Sequence, residues 1–313
     1  MTLLDTNPRG TRLNVPRPHH ATRRKRGDGL AATGFLAPML GGFGIFTLLP
    51  IVAALALAFM AWPLLGSPEF VGLDNFIRLF SNDPGFVQAL RNTLVFVLVL
   101  TPLNLALSLG LATWISPKMK FGNGFRVLFF IPVVTPMVAN AAVWQLMLIP
   151  NGLIDSIWRE QFGVAAPNFL GDPQWAMASV IIMSLWQGFG YNLMIFTSAL
   201  NGVPESLLEA AALDGAGKAR IFFSVRVPQI SPAIFFATTM TLIGSFQVFA
   251  QPYVLTGGGP NNATTTLAMK MYDEGFQFQD LGYASAIGMV LFALILVVSG
   301  IVFAFQKKLV HYE

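Results

Sequence analysis

The stretch 204-PESLLEAAALDGAGKARIFFSVRVP-228 is a long polar interruption in the otherwise apolar second half of the chain. Pro204 and Glu205 suit a first helical turn, where proline loses no hydrogen bond and negative charge meets the positive end of the helix dipole. Asp214 and Gly215 then end the helix, since glycine adopts the left-handed conformation found at helix C-termini. Taken alone, the pattern predicts a helix in a solvated loop between two membrane spans.

The spacing within this stretch is more specific. Glu209-Ala210-Ala211 is followed after three residues by Gly215, and after nine more by Val225-x-Val227-Pro228. This resembles the EAA loop of binding-protein-dependent ABC importer permeases, EAA-x3-G-x9-I-x-L-P, with valines in place of isoleucine and leucine. In that family the loop is the coupling helix, which docks on a cytoplasmic ATPase. The resemblance therefore assigns ATPase coupling to six residues: Glu209, Ala210, Ala211, Asp214, Gly215 and Pro228.

The composition defines the class of protein. Of 313 residues, 54% are hydrophobic and 11% are charged, and the mean hydropathy is +0.62. Soluble domains contain about 25% charged residues, so the composition predicts a polytopic membrane protein. The absence of cysteine excludes disulfides, thiolate catalysis and iron–sulfur ligation.

Apolar segments of about 20 residues, enough to cross a bilayer, predict an all-α fold with six transmembrane helices. The predicted spans are residues 35–62, 90–115, 125–149, 177–200, 230–255 and 283–305. The predicted organisation is a flexible basic tail (1–33), a permease domain (34–308) and a short C-terminal tail (309–313). The first apolar run is about as long as a full span, which favours a retained helix over a cleaved signal peptide.

Loop charges predict the orientation. The second loop carries Lys118, Lys120 and Arg126 with no acid, whereas the first, third and fifth loops carry mostly Asp and Glu. The positive-inside rule therefore places the second and fourth loops and both termini in the cytoplasm. The resemblance to importer permeases implies a bacterial or archaeal cytoplasmic membrane as the location.

Residue types also limit the chemistry. All three histidines lie in the tails, and the apolar interiors contain no Asp, Glu, Lys or Arg. We therefore expect no metal site, no cofactor and no proton relay in the membrane. The run 215–218 (GAGK) resembles a phosphate loop, but Ala212 and Ala219 replace the glycine and hydroxyl residue that such a loop needs. The sequence thus predicts a non-enzymatic subunit without an ATP site.

Uncharged polar and aromatic residues cluster in two spans. They are Trp186, Gln187, Gly188, Tyr191 and Asn192 in the fourth span, and Thr241, Ser245, Gln247, Gln251 and Tyr253 in the fifth. Such groups either join helices across a bundle or line a path for a hydroxyl-rich solute. Trp186-x-Gly188-x-x-Tyr191 resembles the sugar-contacting segment of maltose-type permeases, and Thr241 and Ser245 match polar contacts on their next helix. The resemblance thus implies a substrate path formed by Trp186, Gly188, Tyr191, Thr241 and Ser245.

The resemblance covers roughly residues 35–308 and indicates the carbohydrate-uptake subgroup, of the maltose and glycerol-phosphate permease type. It implies a cytoplasmic ABC ATPase dimer, a second permease subunit, an extracytoplasmic solute-binding protein, a sugar substrate and membrane lipid as partners, and no nucleic acid. The alternative is a stand-alone secondary carrier or channel for a small polar solute. The spacing from Glu209 to Pro228 and the lack of intramembrane charge favour the importer subunit.

Overall fold

The architecture was obtained as a computed structural model that describes residues 26–62, 66–115 and 122–309, with only the backbone described for 26–32 and 307–309. Three features of the sequence analysis lie outside the described residues. They are the basic tail up to residue 25, Lys118 and Lys120 of the second loop, and the C-terminal residues 310–313.

Contacts within the chain define two compact units, Met1–Val52 and Ala53–Glu313. The described part of the first unit contains α1 (Arg26–Phe43), a π-helical turn (Gly44–Leu48) and the start of α2 (Leu49–Leu57). The stretch Thr33–Leu57 is long and apolar enough to cross a membrane. The division between the units thus falls inside the first predicted span.

The second unit is built almost wholly from helices, which confirms the all-α prediction. In chain order they are α3 (Asp74–Ile77), α4 (Pro84–Trp114), α5 (Gly122–Val134), α6 (Met137–Leu148), α7 (Leu153–Phe162), α8 (Pro173–Asn201), α9 (Glu205–Leu213), α10 (Lys218–Ile221), α11 (Val227–Gln229), α12 (Ser231–Phe246), α13 (Ala250–Thr256), α14 (Leu267–Tyr272) and α15 (Leu281–Leu309). Further π-helical turns span Arg78–Asn82, Phe222–Arg226 and Asp273–Gln277. A two-residue antiparallel ribbon, β1 (Met60–Ala61) with β2 (Glu69–Phe70), is the exception, pairing Met60 with Phe70.

Two of the long helices, α4 and α8, begin with an Asp-Pro pair. The carboxylate of Asp83 accepts a hydrogen bond from the backbone N–H of Phe86 at 3.1 Å, and that of Asp172 accepts one from Gln174 at 2.9 Å. The following proline occupies the first helical position, where its missing N–H costs nothing. Consequently α4 begins at Pro84 and α8 at Pro173. Both starts come before residues 90 and 177, where the apolar pattern alone places the starts of the two spans.

Helix α8 lies at the centre of the bundle: 61% of its most apolar window is buried, against 33% for α4. Ser108 of α4 donates a hydrogen bond to the carbonyl oxygen of Phe189 at 2.8 Å and so joins the two helices. On another side α5 approaches so closely that a Cβ at Gly190 would clash with the carbonyl oxygen of Phe129. Small residues allow such close backbone packing between membrane helices.

Two predicted spans are broken in the structure. The segment 125–149 consists of α5 and α6, separated at Thr135 and Pro136, because proline has no N–H with which to continue the ladder of helical hydrogen bonds. The segment 230–255 consists of α12 and α13, and α12 also meets the preceding run Lys218–Gln229 at a bend of 71°. The described residues contain five helical stretches able to cross a membrane by length and composition, or six with this bent pair counted as one.

An ionic cluster connects loops at the end of α4 farthest from the 204–228 loop. The ammonium group of Lys270 lies 2.9 Å from Asp83 and 3.1 Å from Glu274, and the hydroxyl of Tyr283 donates to Asp83 at 2.6 Å. Burial raises the pKa of Asp83, but the hydrogen bonds from Tyr283 and Lys270 outweigh it and hold that pKa below its usual value. The cluster therefore attaches α14 to the starts of α4 and α15.

Candidate functional site

A cavity of about 330 Å³ lies among α4, α8 and α12, beside the two helix breaks. Its walls follow helical periodicity, in which residues three or four apart share a face. The lining residues are Phe96, Leu100 and Asn104 of α4; Val133 and Met137 at the α5–α6 break; Ser184, Gln187, Gly188, Tyr191 and Asn192 of α8; Met240, Thr241, Gly244 and Ser245 of α12; and Val248 and Gln251 beyond it. None of these side chains carries a charge at neutral pH.

The structure brings four of the five predicted path residues to this cavity: Gly188, Tyr191, Thr241 and Ser245. Trp186 does not line it. Successive helical residues turn by about 100°, so Trp186 and Tyr191, five positions apart, point in different directions. The indole of Trp186 instead packs against that of Trp144, with ring centroids 5.8 Å apart.

Asn104 on α4 is a cavity residue that the sequence analysis missed. It could have been found from its place four residues before Ser108, which puts two polar groups on one face of an apolar span. The amide of Asn192 donates to Asn104 Oδ1 at 2.7 Å and to Thr241 Oγ1 at 2.8 Å. One side chain thus joins α4, α8 and α12, and its residue also lines the cavity.

Two acceptor atoms at the cavity wall have no hydrogen-bond partner in the described part of the chain: Oε1 of Gln187 and Oδ1 of Asn192. Gln187 is 7% exposed and Asn192 is 3% exposed, so both side chains are nearly buried. A buried polar atom without a partner is unfavourable, by about 1–3 kcal/mol.

The 204–228 loop contains the second candidate site. Helix α9 begins at Glu205, so Pro204 is the residue that precedes the helix and not part of its first turn. Glu209 and Ala210 are exposed and Ala211 is half-buried. The helix therefore presents a charged, thin surface outward.

The end of α9 has the geometry predicted for it. Gly215 has φ +79°, in the left-handed region, and Asp214 is the C-terminal cap. The N–H of Ala216 bonds to the carbonyl of Ala211, and that of Gly215 to the carbonyl of Ala212, each at 3.0 Å. This pair of bonds is the Schellman motif, which satisfies carbonyls at a helix end. The expected left-handed conformation of Gly215 is confirmed.

The second half of the loop returns the chain to the bundle through α10, a π-helical turn and α11. Pro228 lies in the first turn of α11, and its carbonyl accepts a 2.6 Å hydrogen bond from the hydroxyl of Ser231. Two large apolar side chains of the loop point away from the chain: Leu213 is 89% exposed and Phe223 is 69% exposed.

Comparison with known proteins defines the class of this architecture. A family model described as binding-protein-dependent transport system inner membrane component matches residues 103–311. The chain belongs to this family, as the spacing of the 204–228 loop predicts. It is a permease subunit of a binding-protein-dependent importer and a multi-pass inner-membrane protein.

The alignments with individual relatives cover most of this chain and most of each relative. The probable ABC transporter permease protein YesP of Bacillus subtilis is 33% identical over 298 residues, covering 93% of this chain and 95% of YesP. The lactose transport system permease protein LacF of Rhizobium radiobacter is 32% identical over 270 residues, covering 85% and 90%. The sn-glycerol-3-phosphate transport system permease protein UgpA of Yersinia pestis is 36% identical over 279 residues, covering 88% and 94%.

The fold has a counterpart among solved structures. One chain of a bacterial ABC transporter involved in the import of the acidic polysaccharide alginate superposes with a TM-score of 0.79 at 20% identity, covering 91% of this chain and 98% of its own. At this identity the match establishes the fold, that of an ABC importer permease.

Proposed function

We propose that the cavity among α4, α8 and α12 is this subunit's part of the translocation path for a sugar or sugar-like solute. Sugar hydroxyls both donate and accept hydrogen bonds, and the amides and hydroxyls of the wall do the same. The half-exposed ring of Tyr191 offers an aromatic face, and Gly188 leaves room beside it. The names of LacF and UgpA, which are lactose and glycerol-phosphate permeases, support this substrate class.

The outward surface of α9, with the exposed Glu209 and Ala210 and the half-buried Ala211, is proposed to dock on a cytoplasmic ATPase. Alanines let another backbone approach closely, and the exposed Leu213 adds apolar surface. The observation that carries the proposal is the continuity of the chain: α8 lines the cavity and ends at Asn201, only four residues before α9 begins. A movement of α9 is thereby passed to the wall of the cavity.

This assignment requires partners. ATP hydrolysis takes place on an ATPase dimer, an extracytoplasmic binding protein delivers the solute, and a second permease subunit completes the path, because one loop engages one ATPase. Both termini and the 204–228 loop face the cytoplasm.

Cysteine labelling tests this orientation, since the chain contains no cysteine of its own. Lys218→Cys and Gln161→Cys place thiols at two exposed positions, which the proposed topology puts on opposite sides of the membrane. In intact cells an impermeant thiol reagent should modify Gln161→Cys and leave Lys218→Cys unmodified. Lys218→Cys should react once the membrane is permeabilised. The reverse pattern in intact cells would contradict both the topology and the coupling role of the loop.

Paired aromatic variants test the substrate path. Tyr191→Ala should lower ATP-dependent uptake roughly two- to tenfold, the loss expected from removing one aromatic contact. Trp186→Ala should have a smaller effect, because its ring packs on Trp144 and not on the cavity. The measurement is uptake into proteoliposomes, with basal ATPase activity as the control for assembly. An equal or larger loss in Trp186→Ala would show that the solute passes elsewhere along α8.

A further inference from the structure

We infer that the return segment, Lys218–Gln229, lies on the cytoplasmic surface of the bilayer, with Phe223 among the lipids and Lys218 and Arg220 on anionic headgroups. This segment consists of α10, a π-helical turn and α11, and it joins the 204–228 loop to α12. The inference rests on the proposed orientation of that loop. It adds a lipid-binding surface to the surface of α9 that is proposed to meet the ATPase.

The direction of the return segment keeps it close to the membrane. The segment meets α12 at a bend of 71°, with only Ile230 between them. Phe223 lies eight positions before Ser231, the first residue of α12, which is about 12 Å along a helix. At a bend of 71°, only about 4 Å of that length runs along the axis of α12. Because the apolar pattern starts the fifth span at residue 230, Phe223 lies at the depth of the headgroups.

The outer face of the return segment carries an apolar stripe. Ala219, Phe223 and Val227 follow one another at intervals of four residues and therefore share a face of the helix. Ala219 and Phe223 are exposed, and Val227 is half-buried. The ring of Phe223 packs edge-on against that of Phe222, with centroids 4.9 Å apart, and is still 69% exposed. An exposed aromatic ring on a helix at this depth is typical of segments that lie in the bilayer interface.

Two cations accompany this stripe. Lys218 and Arg220 are exposed, and neither forms an ion pair in the described part of the chain. No Asp or Glu occurs between residues 215 and 272. A third cation, Arg226, is half-buried in a cleft beside Glu205 and is not part of the surface. Anionic headgroups of the cytoplasmic leaflet attract each basic residue near the surface strongly enough to favour contact about fivefold.

The lipid is a better occupant for this face than a protein partner. At the depth of the headgroups the bilayer surrounds the bundle before any partner binds, so an ATPase could reach Phe223 only by displacing lipid. Helix α9 ends at the left-handed turn of Gly215, and a separate helix begins at Lys218. Leu213, at the end of α9 and 89% exposed, therefore remains available to the ATPase while Phe223 contacts the membrane.

Spin labels test the depth of the return segment, since the chain contains no cysteine of its own. Nitroxides are attached singly to Phe223→Cys, to Ala219→Cys on the same stripe and to Leu213→Cys on α9. The full chain, with its second permease subunit, is placed in nanodiscs that contain phosphatidylglycerol. Relaxation of each label by oxygen, which concentrates in lipid, is compared with relaxation by a water-soluble nickel chelate. Labels at positions 223 and 219 should respond to oxygen and be shielded from nickel, and the label at position 213 should respond to nickel.

The same measurement is made without the ATPase and then with it. Shielding of position 223 from nickel in both states is the expected result. If position 223 is as accessible to nickel as position 213 without the ATPase, the inference is wrong. Shielding that arises only with the ATPase would also overturn it, because a protein would then cover Phe223. The reading involves no transport, so failure of the proposed coupling, which Gly215→Val reports, is distinguishable from failure of this inference.

The charge of the lipid tests the headgroup contacts. Nanodiscs of phosphatidylcholine alone should lower the ratio of lipid-shielded to water-exposed label at position 223. In anionic nanodiscs, the double substitution Lys218→Gln with Arg220→Gln should lower this ratio about fivefold for each charge removed. Lys218→Arg with Arg220→Lys keeps both charges and should match the parent. Equal ratios in neutral and anionic nanodiscs would contradict the binding of anionic headgroups.

Discussion

Replacement of Gly215 by valine should abolish uptake. With φ +79°, a residue carrying a Cβ costs roughly 1–2 kcal/mol in this conformation, and a β-branched side chain fits it worse still. The surrounding space within the described chain is open, with no atom within 4 Å of the position that a Cβ would take, so the strain lies in the backbone. The loop would relieve it by changing the direction in which the chain leaves α9, and the docking surface would lose its shape.

Gly217→Val provides the matched control two residues away. Gly217 is exposed and equally open, but its φ of −70° is one that valine adopts without strain. We therefore expect Gly217→Val to retain most of its transport.

Glu209→Ala should reduce uptake by a smaller factor than Gly215→Val, since exposed ion pairs contribute about 0–1 kcal/mol. Uptake should be measured beside co-purification of the ATPase from the same membranes. Normal uptake by Gly215→Val would remove the coupling role of the loop.

Gly244→Trp is the second substitution that should eliminate transport, in this case by filling the cavity. Gly244 lines the cavity in the interior of α12, and a Cβ there meets no atom within 4 Å. The helix should tolerate the change, because most residues favour a helix interior over glycine, which is about 1 kcal/mol worse than alanine. An indole would take up a large part of the roughly 330 Å³ of space and would narrow the path for a solute.

The control for this variant is Gly300→Trp on α15. Gly300 is also a helical glycine with open space at its Cβ, but it does not line the cavity. Both variants should insert and co-purify with the ATPase, and only Gly244→Trp should lose ATP-dependent uptake. Transport by Gly244→Trp at the parent rate would mean that the solute does not pass through this cavity, which would then be a gap in the packing.

Several features of the protein could be predicted from the sequence because their causes are local. The number of spans follows from the length of apolar runs, and the family follows from the fixed spacing between Glu209 and Pro228. The left-handed turn at Gly215 follows from the position of a glycine after a helix. The starts of α4 and α8 were also predictable, since Asp83-Pro84 and Asp172-Pro173 are local helix-start signals, although apolarity alone places both starts too late.

Other features depend on contacts between distant residues. Apolarity does not reveal the breaks at Thr135 and near Val248, although Pro136 is a local signal for the first of them. The pairing of Asn104 with Asn192 depends on how α4 and α8 are rotated about their axes, which packing at Ser108 and Phe189 determines.

The same rotation separates Tyr191 from Trp186, two residues that a sequence motif groups together. Composition and spacing determined that this chain is an importer permease, with a left-handed helix end at Gly215. Only the tertiary structure decided which polar side chains of α8 face the cavity, because the direction of a helical side chain relative to a ligand is set by the neighbouring helices and not by its own sequence.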